Sequence, residues 1–494
     1  MQFWELINRS DFLKDKFKNI EDHFKEIEIN GISNNSKNIK KNFIFFAFTG
    51  NKTNGNLYID EARRNGATVV ISQEEKGKDV IKLTNKDYFK IYSHLCSSFY
   101  NKKPKNIIAV TGTNGKTSVT DFCRQIWSFY GLKSASIGTL GIRDTSEQYY
   151  HKIRNNLTTL DSSELNKQLS KLYDKQISYV ALEASSHGIN QNRLDGINFN
   201  GAVFTNLSHD HLDYHKNMEN YFSAKMKLFT EHLKDGTCVS INLDDQYGME
   251  LYNKIKTKNF KFVNFGFNEK CELKLIQIKK IEKIWQLEIL YKNKLYKTDI
   301  GLVGHFQIYN ALAAASICLG LGLKQDSIFK SLSYLQTVPG RMQIVNHPLC
   351  KATIIVDYAH TPNALKNAIL AVKKMNVNGK IYTLFGCGGE RDHEKRSKMG
   401  EVAFKNSDFT IITDDNPRTE DPSLIRKSII NNNPIAIEIP GRDVAIKKAI
   451  SFLKDDDVLI IAGKGHEQTQ TIGIETLPFD DVSVVKNTLD RLNP

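Results

Sequence analysis

A glycine-rich loop between a predicted strand and a predicted helix constrains this 494-residue chain most. Residues 107–110 are all apolar, which predicts a buried strand, and residues 116–130 have the apolar spacing of a helix. The run between them, residues 111–117, is Thr-Gly-Thr-Asn-Gly-Lys-Thr. Backbone N–H groups of such a loop, at the beginning of a helix, can surround phosphate oxygens. The order strand, loop, helix therefore predicts an α/β domain that binds nucleotide phosphates.

The side chains of this loop indicate ATP and Mg²⁺. Lys116 would neutralise the β- and γ-phosphates, and the Thr117 hydroxyl would bind Mg²⁺. The full phosphate-loop pattern is not met, because Val110 stands where its first glycine would be. A plain strand-to-helix turn is therefore the alternative. We favour phosphate binding, and the ATP-binding positions predicted here are Gly112, Thr113, Asn114, Gly115, Lys116, Thr117 and Ser118.

Charge and cysteine usage bear on partners and location. The net charge of +13 invites a nucleic-acid interpretation. The lysines are scattered among asparagine and isoleucine and form no cluster, so we expect no nucleic-acid partner and anionic nucleotide substrates instead. The seven cysteines contain no CxxC pair, which predicts free thiols in the cytoplasm. We expect no signal peptide, because the N-terminus beginning at residues 1–5 lacks a basic region followed by an apolar one. We expect no membrane span, because the longest apolar stretch, residues 311–323, is too short to cross a bilayer.

Strand and helix signals divide the chain into three α/β regions, separated by predicted linkers at residues 102–105 and 338–341. Alternating residues between 271 and 303 predict a small antiparallel sheet in the second region. The predicted strands elsewhere are 43–48, 67–72, 107–110, 179–182, 201–205, 353–357, 380–385, 409–413 and 458–462, and further helices are predicted at 60–66 and 310–321. The last four strands end at polar or glycine-rich loops, which in a parallel sheet meet at one ligand-binding edge.

Two polar clusters follow predicted strands of the second region. Glu183 opens the first, and His209, Asp210 and His211 lie in the second. Because both would lie at carboxyl ends of strands, we expect them beside the glycine loop. Glu183 and His211 are candidate Mg²⁺ ligands. A zinc site and a solvated loop are the alternatives for the histidine-rich cluster.

A turn far along the chain carries the run Asp415, Asn416, Pro417 and Arg418. Asn-Pro is an ordinary turn dipeptide, so a structural turn is one interpretation. The Arg418 guanidinium, however, offers two parallel donors that match a carboxylate, which lysine cannot do. Together with the glycine loop, this turn predicts an enzyme that uses ATP to join two molecules, one of which has a free carboxylate for Arg418.

Six motifs, in this order, resemble the Mur ligases of bacterial peptidoglycan synthesis. They are Gly-Thr-Asn-Gly-Lys-Thr at 112–117, Glu-Ala-Ser-Ser-His at 183–187, Asn-Leu-Ser-His-Asp-His-Leu-Asp-Tyr-His at 206–215, Val-Pro-Gly-Arg-Met at 338–342, Asp-Tyr-Ala-His-Thr-Pro at 357–362 and Gly-Lys-Gly-His-Glu at 463–467. The resemblance implies a three-domain Mur ligase architecture. Its parts would be an N-terminal UDP-binding α/β domain (1–102), a central ATP-binding domain with a phosphate-loop parallel sheet (103–338) and a C-terminal Rossmann-like domain that binds the amino acid (339–494).

The resemblance also implies the reaction, an ATP-dependent amide-bond ligation that yields ADP and phosphate. The arginine-containing turn of this chain is similar to that of the family branch that adds meso-diaminopimelate to UDP-N-acetylmuramoyl-L-alanyl-D-glutamate. Diaminopimelate has a distal amine for Glu467 and a distal carboxylate for Arg418, whereas L-lysine would leave Arg418 unpaired. A lysine-adding ligase, a folylpolyglutamate-type ligase and a silent nucleotide-binding homologue are the alternatives. We expect a monomer.

Residue roles are carried over from the matching motifs. Asn310, Arg341 and Asp357 would contact ATP. The UDP-muramoyl-dipeptide would be bound by Ser36, Asn51, Lys52, Thr53, Thr158, Thr159, Ser185, Gln191 and Arg193. Diaminopimelate would be bound by Arg391, Asp415, Asn416, Pro417, Arg418, Gly463 and Glu467. The catalytic residues would be Lys116, Glu183, His211 and Lys225, with Lys225 carbamylated by CO₂ and joining Thr117, Glu183 and His211 as a metal ligand.

The residues alone would support simpler roles at two of these positions. Lys225 would be an exposed helix lysine, and Asn310 a helix cap. The chain departs from the family pattern at Leu160, where proline is common, at His209, where arginine is usual, and at Gln307, where asparagine is frequent. Because the ATP and amino-acid sites belong to different domains, we also expect a hinge closure near residues 338–341.

Overall fold

The computed structural model describes residues 1–49, 54–74, 77–83, 87–145, 157–281, 284–348, 350–375, 378–431 and 433–492. Three parallel or mostly parallel sheets follow one another along the chain, each with helices against it. None of the described helices is long and apolar enough to cross a membrane.

The N-terminal sheet is parallel, in the order β1-β2-β3-β4. Its strands are β1 (Gly31–Ser33), β2 (Phe43–Ala47), β3 (Ala67–Ser72) and β4 (Val80–Lys82), with helices α1 (Phe3–Asn8), α2 (Asp11–Lys16), α3 (Asp22–Lys25), α4 (Ile59–Arg64) and α5 (Tyr88–Phe99). Strand β3 coincides with the predicted strand, and α4 lies within two residues of the predicted helix. The sheet is docked on the central domain by Asp161, whose carboxylate accepts bonds from Tyr92 (2.8 Å) and Asn34 (3.1 Å).

The central sheet has the order β11-β10-β9-β5-β8-β6-β7 and is parallel except at β7. Its strands are β5 (Asn106–Thr111), β6 (Ser134–Gly138), β7 (Gly141–Asp144), β8 (Tyr179–Glu183), β9 (Gly201–Phe204), β10 (Cys238–Ile241) and β11 (Lys261–Phe262). Ile108 and Val110 face one apolar core, and Ile107 and Ala109 face another, as the alternation of a strand requires. Burial on both faces explains why β5 is continuously apolar.

Helices cover both faces of this sheet. They are α6 (Lys116–Phe129), α7 (Ser162–Asp174), α8 (Ser186–Asn190), α9 (Leu212–His215), α10 (Met218–Glu231), α11 (Gln246–Ile255), α12 (His305–Gly320) and α13 (Gln325–Leu332). Helix α12 begins five residues before the predicted helix, so Asn310 lies in its second turn. The interpretation of Asn310 as a helix cap is therefore wrong.

The predicted antiparallel sheet is confirmed. It contains β12 (Phe265–Gly266), β13 (Leu273–Ile281), β14 (Ile284–Tyr291) and β15 (Lys294–Ile300), in sequence order. Strands β13, β14 and β15 pair antiparallel, while β12 joins in parallel. Buried side chains such as Leu287 and Ile289 alternate with more exposed ones and pack against the α12 side of the central domain.

The C-terminal sheet has the order β16-β17-β21-β18-β19-β20, with only the β16–β17 pairing antiparallel among the described strands. Its strands are β16 (Gln343–Ile344), β17 (Thr353–Asp357), β18 (Ile381–Phe385), β19 (Phe409–Ile412), β20 (Ile437–Glu438) and β21 (Val458–Ala462), with helices α14 (Pro362–Lys373), α15 (Glu394–Asn406), α16 (Pro422–Ile430), α17 (Arg442–Phe452) and α18 (Asp481–Leu492). Strands β22 (Thr469–Ile472) and β23 (Glu475–Pro478) form a separate hairpin. The loops after β17, β21, β18 and β19 therefore meet at one edge.

Candidate active site

The glycine loop lies at the centre of the central sheet, where β5 ends between β9 and β8. The residues after β9 hold it in place. The Thr113 N–H donates to the Asn206 carbonyl (2.9 Å), and the Asn114 N–H donates to the Asn206 side-chain oxygen (3.0 Å). The Thr205 hydroxyl donates to the Asn114 carbonyl (2.7 Å). The loop is thus fixed from one side before it enters helix α6.

Two glycines of the loop are required by their surroundings. Gly112 has φ +146°, and a Cβ at this position would overlap the Thr205 hydroxyl. Gly115 has φ +89°, and a Cβ there would overlap the amide oxygen of Asn310. Asn310 in turn donates to Gln307 (2.8 Å), so the second turn of α12 packs directly against the loop. This is the structural role that replaces the predicted cap.

Lys116 lies at the beginning of α6 with its ammonium over the loop. Its Nζ donates to the carbonyls of Gly112 (2.9 Å) and Thr113 (2.8 Å). Burial lowers the pKa of Lys116, while the carboxylates of Glu183 and Asp210 oppose that shift. The two carbonyls therefore hold the Lys116 ammonium against the glycine loop.

Glu183 ends strand β8, next to the loop. One of its carboxylate oxygens accepts from the Thr139 N–H (2.8 Å), and the other accepts from the Thr139 hydroxyl (3.1 Å). A Cβ at Gly138 would overlap the Glu183 side chain, so that glycine makes room for the carboxylate. Glu183 is 2% exposed. Thr139, which the sequence did not single out, therefore orients the Glu183 carboxylate.

His211 and Asp210 follow β9 on the same side of the sheet and line the same cleft as Glu183. The backbone N–H of His211 donates to the Asp210 carboxylate (2.9 Å). Desolvation lowers the pKa of His211 to about 4, so its ring is neutral at pH 7 and keeps a lone pair for a ligand. The described residues contain no group of three or more His, Cys, Asp and Glu side chains placed to hold a metal.

Lys225 is buried, with 1% of its surface exposed, on helix α10. The interpretation as an exposed helix lysine is therefore wrong. Its Nζ donates to the Gly112 carbonyl (2.8 Å) and lies 4.6 Å from the centre of the Tyr221 ring. Burial, and after it the charge of Lys116, holds the pKa of Lys225 well below its usual range. Burial beside the glycine loop therefore favours the unprotonated amine of Lys225.

The C-terminal domain contributes a third wall. Arg341 donates to the Thr117 hydroxyl (3.1 Å), and its guanidinium lies 4.4 Å from the centre of the Tyr358 ring. Asp357, at the end of β17, accepts bonds from the backbone of Met342 (2.7 Å) and Ala359 (2.8 Å). Desolvation raises the pKa of Asp357, while Arg341 opposes that shift. Asp357 therefore holds the segment that presents Arg341 to the glycine loop.

These elements enclose a cleft of about 540 Å³ between the central and C-terminal domains. The predicted residues that line it are Thr113, Asn114, Gly115, Lys116, Thr117, Ser118, Thr158, Glu183, His211, Asn310, Arg341 and Asp357. The wall beyond the loop contains Tyr358 and His360, which lie in the 357–362 motif but received no predicted role, and four residues that sequence reasoning missed, Asp244, Phe265, Phe306 and Tyr309. The Tyr309 hydroxyl donates to Asp244 (2.8 Å). No motif indicated Phe265, Phe306 or Tyr309, because each one alone resembles an ordinary core position.

The residues predicted to bind the UDP-muramoyl-dipeptide form one cluster in the central domain. Arg193 donates to the Thr159 carbonyl (2.7 Å) and to Gln191 (2.5 Å). The Thr159 hydroxyl donates to the Glu183 carbonyl (2.8 Å) and lies 3.0 Å from the Ser185 hydroxyl. Thr158 lies 3.3 Å from Thr139, which joins the cluster to the cleft. The cluster is continuous with the phosphate loop through Glu183.

The predicted contacts with the uridine nucleotide belong to the N-terminal domain. Ser36 is buried, and its hydroxyl donates to Glu61 (2.5 Å). Asn51, Lys52 and Thr53 lie outside the described residues. Their predicted contact with the uridine nucleotide stays a prediction.

The predicted amino-acid loops meet at the edge of the C-terminal sheet. Arg418 has φ +54°, and its Nη1 donates to the Gly389 carbonyl (2.6 Å). The Gly389 N–H donates to the Asn416 carbonyl (2.9 Å), so the loops after β18 and β19 interlock. Arg391 is exposed on the first of them. A Cβ at Gly463 would approach the Asp415 carboxylate, which brings the loop after β21 against the same turn.

Glu467 is linked to the Arg418 turn through Asn416. The Asn416 amide donates to Glu467 (2.9 Å), and the buried Lys464 donates both to Asn416 (3.1 Å) and to Glu467 (2.8 Å). Lys464 lies in the 463–467 motif, but the sequence assigned it no role. The Lys464 ammonium pairs with one carboxylate oxygen of Glu467. It thereby fixes the spacing between this carboxylate and the Arg418 guanidinium on the neighbouring loop.

Comparison with known domain families gives three matches that follow the chain in order. They are the Mur ligase family catalytic domain over residues 28–103, the Mur ligase middle domain over residues 110–318 and the Mur ligase glutamate ligase domain over residues 340–465. Together they cover most of the chain.

Whole-chain relatives are similar along their full length. A UDP-N-acetylmuramoyl-L-alanyl-D-glutamate–2,6-diaminopimelate ligase of Rickettsia typhi is 40% identical over 475 residues, which are 95% of this chain and 95% of the relative. The ligase of the same name from Rhizobium meliloti is 39% identical over 94% of this chain and 95% of its own length. A solved structure of a ligase of that name superposes with a TM-score of 0.68 at 29% identity, and covers 97% of this chain and 99% of its own.

Proposed function

Because the chain belongs to the Mur ligase family, we propose that it joins meso-2,6-diaminopimelate to the D-glutamate γ-carboxylate of UDP-N-acetylmuramoyl-L-alanyl-D-glutamate. The predicted family, the three-domain α/β architecture and the ATP-dependent ligase activity are confirmed. One observation carries the choice of amino acid. Arg418 and Glu467 lie on neighbouring loops that Asn416 bridges, which offers a cation and an anion to the two ends of one side chain.

The choice between diaminopimelate and L-lysine rests on Arg418. The Arg418 guanidinium donates from Nη1 to two carbonyls, those of Gly389 (2.6 Å) and Asn416 (3.4 Å), and its Nε and Nη2 have no hydrogen-bond partner among the described residues. A distal carboxylate would pair with the remaining donors, whereas lysine would leave them desolvated at a cost of about 1–3 kcal/mol. This supports the diaminopimelate-adding reaction over the lysine-adding one. We assign Arg391, Asp415, Pro417 and Gly463 to the same pocket because their loops meet there.

The reaction proceeds in two balanced steps. The D-glutamate γ-carboxylate attacks the γ-phosphorus of ATP, the bond to the β-γ bridging oxygen breaks, and an acyl phosphate and ADP form. The diaminopimelate amine then attacks the acyl carbon, loses a proton, and expels phosphate as the amide forms. Lys116 and the loop N–H groups hold the phosphates in line, and Arg341 adds charge from the opposite wall.

The residues beside the glycine loop fit Mg²⁺. Thr117 and Glu183 present oxygen atoms to one cleft, and His211 presents a neutral ring. Lys225 fits as a carbamate, because its amine is buried and its pKa is held well below the usual range, which favours the unprotonated form that reacts with CO₂, whereas an ammonium would repel a cation. Bound there, Mg²⁺ would supply positive charge to the phosphate oxygens. Lys116, Glu183, His211 and carbamylated Lys225 are our proposed catalytic residues.

We further propose domain boundaries after residues 102 and 338, with closure about residues 338–341. Gly340 has φ +65° at this connection, and Arg341 already contacts the central domain. Unchanged small-angle scattering on addition of ATP and substrates would contradict closure. We also propose that the protein acts as a monomer. The use of ATP and the seven unpaired cysteines support a cytoplasmic location.

The test is phosphate release from ATP, Mg²⁺ and UDP-N-acetylmuramoyl-L-alanyl-D-glutamate, with meso-diaminopimelate or L-lysine as the second substrate. We expect release with diaminopimelate. Release with lysine alone would overturn the Arg418 argument but keep the ligase. Release with neither, or release only with a folate and glutamate, would overturn the proposed reaction. No hydrolysis or ligation under any condition would favour the silent nucleotide-binding alternative.

A further inference from the structure

The hairpin β22–β23 stands apart from the larger sheets and lies along the turn that carries Arg418. Its strands pair from Thr469 opposite Pro478 to Ile472 opposite Glu475, which leaves a two-residue connection. Gly473 is the first residue of that connection and has φ +59°. This is the position at which a type II′ turn uses glycine. The hairpin therefore depends on one backbone conformation at its tip.

The first strand of the hairpin contacts the beginning of the Asp415–Arg418 turn. The buried side chain of Gln470 donates from Nε2 to the Asp415 carbonyl (2.6 Å). The Thr471 N–H donates to the side-chain oxygen of Asn416 (3.0 Å). Because Asp415 is buried, loss of the Gln470 donor would leave its carbonyl without this hydrogen bond, whereas the Asn416 oxygen would still accept from Lys464.

The same strand holds both backbone groups of Arg418. The Arg418 N–H donates to the Thr471 carbonyl (3.1 Å), and the Gly473 N–H donates to the Arg418 carbonyl (2.7 Å). Arg418 and Ile472 thereby form a parallel bridge. Arg418 also has φ +54°, a left-handed conformation that a residue with a side chain adopts only when its surroundings impose it. Here the hairpin supplies those surroundings.

We propose that the hairpin of residues 469–478 sets amino-acid specificity by holding Arg418 in this conformation, with Gln470 and Gly473 as positioning residues. The inference rests on the proposed function, because it takes Arg418 as the group that binds the distal carboxylate. The direction of the guanidinium follows from the Arg418 backbone. Its distance from Glu467 is therefore set by the hairpin as well as by Asn416.

The tip of the hairpin allows a local test. A Cβ on Gly473 would meet no atom within 4 Å, so Gly473→Ala changes only the backbone preference. Ile474 beside it is 96% exposed, so little packing is at stake. Gly322, in the connection between α12 and α13, is a matched control with φ +89° and the same open space around a Cβ. Both substitutions place an alanine in a left-handed conformation.

We would measure KM for each of the three substrates in the full-length enzyme. Gly473→Ala should raise KM for diaminopimelate about tenfold and lower the preference for diaminopimelate over lysine, with KM for ATP and for the UDP-dipeptide within about twofold. Gly322→Ala should leave all three unchanged. Gln470→Met, which keeps the size but removes the donor, should act in the same direction as Gly473→Ala.

Two outcomes would overturn the inference. Unchanged KM for diaminopimelate in both hairpin variants would show that Arg418 keeps its position without the hairpin. Equal changes in all three KM values, or the same change in Gly322→Ala, would show a general loss of stability. A wild-type enzyme that does not use diaminopimelate would instead overturn the proposed function, so the two failures are distinguishable.

Discussion

Arg341 donates from Nη2 to the hydroxyl of Thr117 at 3.1 Å, and so joins the connection to the C-terminal domain with the end of the phosphate loop. The two residues are 224 positions apart in sequence. The Arg341 guanidinium also lies over the Tyr358 ring, 4.4 Å from the centre of that ring. A single side chain thus couples the position of the C-terminal domain to the group that would bind Mg²⁺.

Arg341→Met should therefore weaken ATP binding. The variant loses one positive charge and the bond to Thr117, and we expect KM for ATP to rise about tenfold or more, the equivalent of ~1.4 kcal/mol. KM for the UDP-dipeptide should change little. Arg491→Met, on the exposed face of α18, removes the same charge away from the cleft and should have no effect. An equal loss in both variants would mean that only net charge matters.

The architecture could be predicted from local patterns. Strand β5 is apolar on both faces because helices cover both. The loop after it has positive φ at positions 112 and 115, and glycine is the residue type that adopts such a conformation readily. The alternation of β14 likewise indicated its half-buried sheet. These signals lie within ten residues of the feature that they predict, so one sequence is enough to find them.

The site could be predicted only in part, because its remaining residues depend on contacts between distant segments. Lys225 has the local sequence of an exposed helix position, and it is buried only because Tyr221 and the Gly112 carbonyl lie over its amine. Lys464 and Thr139 act by orienting carboxylates on other elements. No spacing rule within the chain predicts such partners.

Lys225→Gln tests the proposed carbamate. The substitution keeps a buried polar side chain but removes the amine that CO₂ would modify, and we expect kcat to fall at least about 100-fold, as for loss of an oriented charge in an active site. Wild-type activity should also fall in CO₂-depleted buffer and return when bicarbonate is added. Both measurements use phosphate release at saturating substrates.

The control for this prediction lies on the same helix. Lys227 is two residues further along α10, and its Nζ contacts Asn190 rather than the glycine loop (3.4 Å). Lys227→Gln should keep wild-type kcat and wild-type dependence on bicarbonate. Bicarbonate dependence that survives in Lys225→Gln would place the modification on another residue.

Stability should fall in mild acid because of His215. This ring is 5% exposed, lies 2.9 Å from the Ser186 hydroxyl, and burial lowers its pKa to about 4 from an ordinary value of 6.5. Between these two values the unfolded chain binds a proton that the folded chain does not, so folding stability is lost as pH falls from 6.5 towards 4. The loss at pH 5 is about 2 kcal/mol. Urea unfolding at pH 7.5 and pH 5 measures this loss of folding stability. The loss should be smaller in His215→Gln and unchanged in the surface variant His23→Gln.

Asp481 and Arg442 form an ion pair with both side chains fully buried, at 2.8 Å. Arg442 also donates to the Ala462 carbonyl (2.9 Å), at the base of the loop that carries Glu467. Asp481→Leu should destabilise the protein by about 3–5 kcal/mol, because it leaves the guanidinium buried without its anion. Adding Arg442→Met should restore much of that loss in urea unfolding. Asp443→Asn breaks a surface pair with Lys447 and should cost less than about 1 kcal/mol. Equal costs for the buried and surface substitutions would contradict the assignment.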